Sequence, residues 1–218
     1  MIDLFKIEKY RENNRIEAKK SLGGFPHSVW ETYSAFANTL GGVILLGVEE
    51  RKDKSLHPVD LPKPEWLVAE FWTGVNDKTK VSANILQKTH IQTVEMAGKT
   101  IVAITVPRAP RAKRPVYIGG NPFTGSYKRS GEGDYKCTKE EVERMLMQAA
   151  QAEEKNAASL LIEQKRKIIE YVTDRVTASA GELSDKLQIP LKEMRALLSD
   201  LEKAEILINV KGKYRLKS

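Results

Sequence analysis

The sequence predicts a mixed α/β fold followed by a small second module made mostly of helices. Strand-like and helix-like segments alternate in the first two thirds without a regular βαβ repeat, and neighbouring strands there are joined by short turns. The last third carries amphipathic helices and a tight hairpin. We place the first module at residues 1–155 and the second at residues 159–218, because 218 residues can bury one large core and a smaller one.

The composition is that of a folded, basic protein. Hydrophobic residues make up 41% of the chain and charged residues 30%, while the net charge is +7. Such a charge favours polyanionic partners, since lysine and arginine release counterions when they neutralise phosphates. The longest apolar run, residues 43–48, is too short to span a bilayer, and the N-terminus has no signal-peptide core. We therefore expect a cytoplasmic protein without a membrane partner.

Cysteine and histidine usage argues against a metal centre built from those residues. Cys137 is the single cysteine, which excludes an internal disulfide and a cysteine-cluster zinc site. The three histidines, His27, His57 and His90, are scattered without the spacing of metal ligands. We expect no cofactor.

The first module begins with a strand and a helix. Residues 15–19 alternate as a half-buried strand does. Ser28 and Glu31 have capping-box spacing before a helix that should stop at Gly41 in a left-handed conformation. Residues 43–48 then form a strand buried on both faces. Gly41-Gly42 thus follows a helix and precedes a strand, the reverse of a phosphate-binding Walker loop, and we reject ATP binding there.

A helix and two hairpins are expected next. The helix spans residues 66–72, and Ala97-Gly98 turns a hairpin between strands 90–98 and 99–107. A second hairpin would pair "PVYI" with "SYKRSG". Basic residues interleaved with aromatics in this region suit phosphate contacts and base stacking, although a solvated basic loop would look the same. The candidate phosphate contacts are Arg108, Arg111, Lys113, Arg114, Lys128 and Arg129.

The second module has the element order of a winged helix-turn-helix. A capping box at Thr138 and Glu141 opens a helix that ends in an alanine-rich linker. An amphipathic helix with Leu161 inward, a short helix and a third helix with Pro190 at its first position follow. The hairpin "ILINV-KG-KYRLK" completes the pattern.

In a winged helix the third helix and the wing contact DNA. The third helix would offer its polar face to the major groove, and the hairpin would contact phosphate or the minor groove. Winged helices also dock proteins, and acidic residues on the third helix dilute its charge. The candidate contacts are Lys192, Arg195 and Ser199 on the helix and Lys211, Lys213 and Arg215 on the wing.

Three blocks of the first module, "RIEAKKS", "AFANTLGGVILLGVEE" and "SYKRSGEGDYKCTKEEVERM", resemble the Schlafen-type AlbA domain in order and approximate spacing. "EAK" here replaces the usual "EFK", and "KRSGEG" departs from the usual Arg-x-Gly-Ser ending. The resemblance implies the AlbA-like mixed sheet and a nucleic-acid-binding role, typical of bacterial transcriptional regulators that carry a C-terminal winged helix. We expect a duplex-DNA-binding homo-oligomer.

The same resemblance raises an enzymatic alternative, because animal Schlafens are RNA endonucleases with three acidic residues at the site. Glu12 and Glu17 have the five-residue spacing of the first two, and Glu49 or Glu50 occupies the third place. Three carboxylates suit Mg²⁺ or Mn²⁺, which can activate water for phosphodiester cleavage. Otherwise Arg15 and Lys19 would neutralise Glu17 on its own strand face, while Glu49 and Glu50 would cap a strand end in solvent.

Overall fold

The computed structural model describes residues 11–96 and 98–217, and the chain forms two compact units. The first unit ends at Ala152 and the second begins at Glu153. Helices and several sheets coexist, so the predicted mixed α/β class is confirmed. The elements up to the second unit are β1 (Ile16–Lys19), α1 (Val29–Asn38), β2 (Gly42–Leu46), β3 (Val48–Glu50), β4 (Leu56–Pro58), α2 (Pro64–Asn76), β5 (Ile91–Met96), β6 (Lys99–Val106), α3 (Pro122–Gly125), β7 (Tyr127–Ser130), β8 (Gly133–Lys136) and α4 (Lys139–Arg175).

A four-stranded sheet with the order β1-β2-β6-β5 lies at the centre of the first unit. β1 runs parallel to β2, and the other two pairings are antiparallel. Ile44 and Leu46 of β2 pack in a cluster with residues of α1 and α2, whereas Leu45 packs in a second cluster with Ile16. The predicted burial of this strand on both faces is therefore confirmed.

The predicted single strand over residues 43–48 is wrong, because Gly47 divides it. Gly47 has a φ of +84° and separates β2 from β3, which pairs with β4 instead of extending the central sheet. A Cβ atom at this position would lie 2.6 Å from Cγ of Leu61. The left-handed backbone and the close approach of Leu61 both require glycine here.

Helix α1 begins and ends differently from the expectation. The capping box at Ser28 is wrong, because the Ser28 side chain makes no capping hydrogen bond. Glu31 instead accepts a hydrogen bond from the Tyr127 hydroxyl at 3.0 Å. The helix ends at Asn38, and Gly41, with a φ of +74°, donates its N–H to the Phe36 carbonyl at 2.9 Å. The left-handed glycine after this helix is confirmed.

The two predicted hairpins have different outcomes. β5 and β6 form the first, with Met96 opposite Lys99; Ala97 lies outside the described residues. The pairing of "PVYI" with "SYKRSG" is wrong, since only an isolated bridge joins Tyr117 to Ser126 and β7 pairs with β8. The short helix α3 fills the space between, with Asn121 capping its first turn.

Helix α4 is longer than expected. Its capping box is confirmed: the Thr138 N–H donates to Glu141 at 2.8 Å and the Glu141 N–H donates to the Thr138 hydroxyl at 3.3 Å. The predicted linker and the following amphipathic helix are one continuous helix of 37 residues. No glycine or proline interrupts this stretch, so nothing in the backbone requires a break.

The second unit packs the end of α4 against two helices and a small sheet. Its core includes Ile168, Leu183, Met194 and Leu198, whereas Leu161, expected to point inward, is 41% exposed. The three strands have the order β10-β11-β9. Its further elements are β9 (Ala178–Ser179), α5 (Ala180–Leu187), α6 (Leu191–Lys203), β10 (Leu207–Val210) and β11 (Lys213–Leu216).

Two turns shape the second unit. Pro190 is the residue before α6 and not its first helical residue, a small correction to the expectation. Lys211 and Gly212 both have positive φ values, of 52° and 82°, as a two-residue hairpin turn requires. Within the described residues, no helix combines the length and apolar character needed to cross a bilayer.

Candidate nucleic-acid interface

Arg129, one of the predicted phosphate contacts, lies inside the first unit. Its Nη1 donates to Asp134 at 2.9 Å, its Nη2 lies 2.8 Å from Glu17, and it donates further hydrogen bonds to the carbonyls of Asn13 and Ile16. Only 1% of its side chain is exposed. Burial opposes the charge, but Asp134 and Glu17 outweigh it and raise the pKa of Arg129. A phosphate cannot reach this guanidinium, so Arg129 is removed from the interface.

Glu17 is the acidic centre of this arrangement. It lies on β1, and only 6% of it is exposed. Lys19, two residues along the same strand, pairs with its Oε1 at 2.5 Å, and Arg129 pairs with its Oε2. The prediction that Glu17 is neutralised by a cation on its own strand is therefore confirmed for Lys19, but it omits a second cation. A second cation, Arg129 of β7, compensates it through a buried ion pair.

Two further glutamates lie near Glu17. Glu12 accepts a hydrogen bond from the Ala18 N–H at 2.8 Å. Burial raises the pKa of Glu12, and the charges of Glu17 and Glu50 add to that rise. Glu50 pairs with Lys54 at 3.1 Å through one oxygen, while its Oε1 is buried without a hydrogen-bond partner in the described part of the chain.

Glu49 stands apart from the other three predicted acidic residues. It pairs with Lys20 at 2.7 Å, and this hydrogen bond lowers the pKa of Glu49. Among residues 11–96 and 98–217, no group of three acidic, histidine or cysteine side chains is placed to hold a metal ion. Since Glu17 is already committed to Arg129 and Lys19, the residues present do not fit a Mg²⁺ or Mn²⁺ site.

The first unit also carries three arginines that we call the arginine cluster: Arg108, Arg111 and Arg114. They follow β6 in a segment that is held against the end of α1, where the Ala109 N–H donates to the Ala37 carbonyl at 2.8 Å. Arg108 and Arg111 are exposed, as is the neighbouring Lys113. No carboxylate of the described residues forms an ion pair with any of the three arginines.

Arg114 differs from its two neighbours because it is buried. Only 8% of it is exposed, and its Nε has no hydrogen-bond partner among the described residues. Burial lowers the pKa of Arg114, and the charges of Arg108 and Arg111 lower it further. Leaving this buried Nε–H without an acceptor costs free energy.

Lys128, the remaining predicted contact of this unit, is partly engaged. Its Nζ pairs with Glu141 at 2.6 Å, and 38% of its side chain is exposed. Glu141 also takes part in the capping box of α4, so this pair joins β7 to the start of that helix. A phosphate would have to compete with the carboxylate for Lys128.

Helix α6 in the second unit carries two acids that are engaged by α4 and two cations that are exposed. Glu193 accepts a hydrogen bond from Gln164 at 2.9 Å, and Asp200 pairs with Lys165 at 3.0 Å, so both acids are engaged by α4. Lys192 and Arg195 are exposed, and Ser199 is half-buried. Neither cation forms an ion pair with a described residue.

The β10–β11 hairpin adds three more exposed cations. Lys211 lies in the turn, and Lys213 and Arg215 lie on β11 opposite Val210 and Ile208. Within the portion that the structure describes, none of these three cations pairs with a carboxylate. The second unit thus brings together an exposed cationic helix flank and a cationic hairpin.

The first unit matches a known protein family. The family model of Schlafen AlbA_2 matches residues 12–138. The chain belongs to the Schlafen AlbA_2 family. No curated protein matches it.

Two solved structures are similar to this AlbA_2 chain. One is the N-terminal domain of an ATP-dependent DNA helicase RecG-related protein from Nitrosomonas europaea, with 30% identity and a TM-score of 0.46, covering 61% of this chain and 89% of that one. The other is the DIP2311 protein from Corynebacterium diphtheriae, with 15% identity and a TM-score of 0.38, covering 56% of this chain and 21% of that one.

Sequence reasoning missed one residue that organises the AlbA_2 unit. Asn38 donates to the carbonyls of Val116 and Tyr127 at 2.8 and 3.0 Å, and it accepts from the Val116 N–H at 2.8 Å. It thereby anchors both segments that flank α3 to helix α1. A lone amide at the end of the apolar stretch "AFAN" was the available signal, since a buried amide must find partners.

Proposed function

We propose that this chain binds nucleic acid, with duplex DNA as its favoured partner, and that it acts as a transcriptional regulator. The observation that carries this proposal is the charge separation on α6. Glu193 and Asp200 of this helix are engaged by α4, while Lys192 and Arg195 face solvent without a partner among the described residues. Cations left unpaired in this way can release counterions from a phosphate backbone.

The second unit would act as a winged helix. α5, a turn containing Gln188 in the left-handed region, and α6 follow one another as the helix-turn-helix requires, and the β10–β11 hairpin would be the wing. In this arrangement α6 would enter the major groove, with Lys192, Arg195 and Ser199 toward the bases. Lys211, Lys213 and Arg215 would contact the flanking backbone.

The first unit would add phosphate contacts. Arg108, Arg111 and Lys113 are exposed, and Lys128 would contribute if a phosphate displaced Glu141. Membership of the Schlafen AlbA_2 family supports a role for this unit in nucleic-acid binding. We further propose that the protein binds as a homo-oligomer, because winged-helix readers commonly pair on two half-sites.

RNA cleavage is the less supported alternative. The charges of Glu17 and Glu50 help to raise the pKa of Glu12, as neighbouring carboxylates in a catalytic cluster would. However, Glu17 pairs with Arg129 and Lys19, and Glu50 pairs with Lys54. Carboxylates that are neutralised by protein cations favour a structural role, so we propose binding and not cleavage.

The double substitution Arg195→Ala and Lys213→Ala tests the proposal. We expect weaker binding to duplex DNA in fluorescence anisotropy, and a log–log salt dependence shallower by about 1, since Lys213 would contact a phosphate and each lost phosphate contact removes about 0.9. If Arg195 contacts a base, the loss exceeds the electrostatic part by about 1–3 kcal/mol and depends on DNA sequence.

The matched control removes two cations from the same unit that are already paired with acids. Arg166 pairs with Glu163 and Glu170 on α4, and Lys167 lies near Glu163 at 3.6 Å. Arg166→Ala with Lys167→Ala changes the net charge equally and should alter affinity much less. Equal losses in the two double variants, or unchanged affinity in the first, would contradict the proposed interface.

A further inference from the structure

The arginine cluster has more positive charge than a backbone phosphate needs. Arg108, Arg111 and Arg114 lie close enough that the charges of the first two lower the pKa of the third. No described carboxylate pairs with them. A phosphodiester inside a strand brings one negative charge, whereas a phosphomonoester brings nearly two at neutral pH. The doubly charged group compensates three arginines better.

The depth of Arg114 also restricts which phosphate can reach it. The residue is 8% exposed, and its Nε is buried without an acceptor in the described part of the chain. A phosphate within a duplex carries a sugar on each side and lies along a broad surface. A terminal phosphate carries a sugar on one side only and presents three free oxygens, which the fork of an arginine matches.

Backbone packing holds the cluster in place. A Cβ atom at Gly41 would lie 2.8 Å from the Val106 carbonyl oxygen and 3.0 Å from the Arg108 nitrogen. The segment bearing the arginines is thus pressed against the end of α1, and Val116, two residues beyond Arg114, is fully buried in the core. Preorganisation of this kind lowers the entropy cost of binding an anion.

We propose that the arginine cluster is a recessed site for a phosphomonoester, with the terminal phosphate of a nucleic-acid strand as its ligand. Arg114 would bind the phosphate from below, and Arg108 and Arg111 would close over it from the exposed side. The inference rests on the proposed nucleic-acid-binding function for the strand, but the site itself requires only the phosphate group.

The test compares one short duplex with 5′-phosphate, 3′-phosphate or hydroxyl ends. We expect the chain to bind at least one phosphorylated form about tenfold more tightly, which corresponds to one charge-assisted hydrogen bond. Arg114→Gln should reduce this ratio toward one. The ratio should also fall below about pH 6, where the phosphate loses its second charge.

A second variant keeps the proposal testable if Arg114→Gln does not fold. Arg108 and Arg111 are exposed, so Arg108→Gln with Arg111→Gln leaves the core intact and should also reduce the ratio. Arg51→Gln with Lys52→Gln is the charge-matched control, because both residues are exposed in a different loop of the same unit. Equal binding of phosphate and hydroxyl ends by the wild type, or a ratio that neither cluster variant changes, overturns the proposal.

A thermal-denaturation arm separates this site from the proposed function. Inorganic phosphate and a deoxynucleoside monophosphate should raise the melting temperature of the wild type but not of the Arg108→Gln, Arg111→Gln variant. If this stabilisation occurs while the chain binds no oligonucleotide, the phosphomonoester site stands, its ligand is a small phosphorylated molecule, and the proposed function fails. If the chain binds the duplex without any preference for phosphate ends, the proposed function stands and the phosphomonoester site is overturned.

Discussion

Arg129 shows how strongly one side chain can determine the structure of the first unit. Its buried guanidinium pairs with Glu17 and Asp134, and it lies over the Phe36 ring at 5.2 Å from the centroid. We predict that Arg129→Met lowers the free energy of unfolding by about 3–5 kcal/mol, because the buried Glu17 and the half-buried Asp134 each lose an ion-pair partner. Urea denaturation followed by circular dichroism measures this change.

The adjacent Lys128 provides the matched control for Arg129. Its ion pair with Glu141 is partly exposed, so Lys128→Met should cost about 0–1 kcal/mol. A similar cost for both variants would show that burial of the Arg129 network contributes little. Because Arg129 depends on Glu17, a Glu17→Ala variant would disturb the fold and could not by itself report on catalysis.

The raised pKa of Glu12 predicts how the stability of the fold changes with pH. Burial raises the pKa of Glu12 above its ordinary value, so the folded state binds the proton more tightly than the unfolded state does. The charged carboxylate therefore opposes folding at neutral pH, and this cost disappears below the ordinary glutamate pKa of about 4.3. We expect Glu12→Gln to be at least as stable as the wild type at pH 7.

The measurement is the stability difference between Glu12→Gln and wild type as a function of pH. The advantage of the variant should shrink as the pH falls through the raised pKa of Glu12. Glu49→Gln is the contrasting control, since the hydrogen bond from Lys20 lowers the pKa of Glu49 and gives the opposite sign. An advantage for Glu12→Gln that grows on acidification would contradict the assigned burial.

The sequence could predict which residues are charged and near one another along the chain, but not which charges meet in space. Lys19 was expected beside Glu17 because two residues on a strand share a face. Arg129 and Glu17 are separated by more than a hundred residues, and no local pattern links them. For the same reason Arg129 was predicted at the interface, although it lies in the interior.

Among the structural elements, the junction between α1 and β2 depends on one glycine. Gly41 has a φ of +74°, and a Cβ atom there would contact the backbone of residues 106–108. We predict that Gly41→Ala destabilises the protein by more than the roughly 1–2 kcal/mol that a left-handed residue costs. Thermal unfolding measures the loss.

Gly131 provides the comparison, because its φ of +59° is also left-handed but no atom lies within 4 Å of its would-be Cβ. Gly131→Ala should therefore show only the conformational cost. If both substitutions cost the same, the contact with residues 106–108 yields easily, and the arginine segment is less firmly held than we infer.

Element prediction succeeded where the pattern was long and periodic. Helices α2, α5 and α6 lie where the sequence predicted helices, and the Lys211-Gly212 turn correctly predicted the last hairpin. It failed where tertiary contacts decide. Gly47 divides an apolar run because Leu61 packs against it, and β7 pairs with β8 because α3 and Asn38 hold the preceding segment.

At the scale of the whole molecule, the net charge of +7 is unevenly compensated. Lysines and arginines near the acidic residues of the first unit are paired, as at Glu17, Glu49 and Glu50. Within the described residues, the cations that form no ion pair include the arginine cluster, Lys192 and Arg195 on α6, and the three cations of the last hairpin. Composition indicated a polyanionic partner, but only the pairing pattern shows which cations are available to one.

The buried guanidinium of Arg129 has a consequence for how this unit can be varied. It touches Glu17 in "RIEAKKS", its backbone N–H donates to Thr39 in "AFANTLGGVILLGVEE" at 3.0 Å, and it pairs with Asp134 in its own block. The three stretches that mark the family are therefore joined through Arg129 by ion pairs and a hydrogen bond. A chimera that takes one block from a relative with different charges would strand a buried charge, so the blocks must be exchanged as a set.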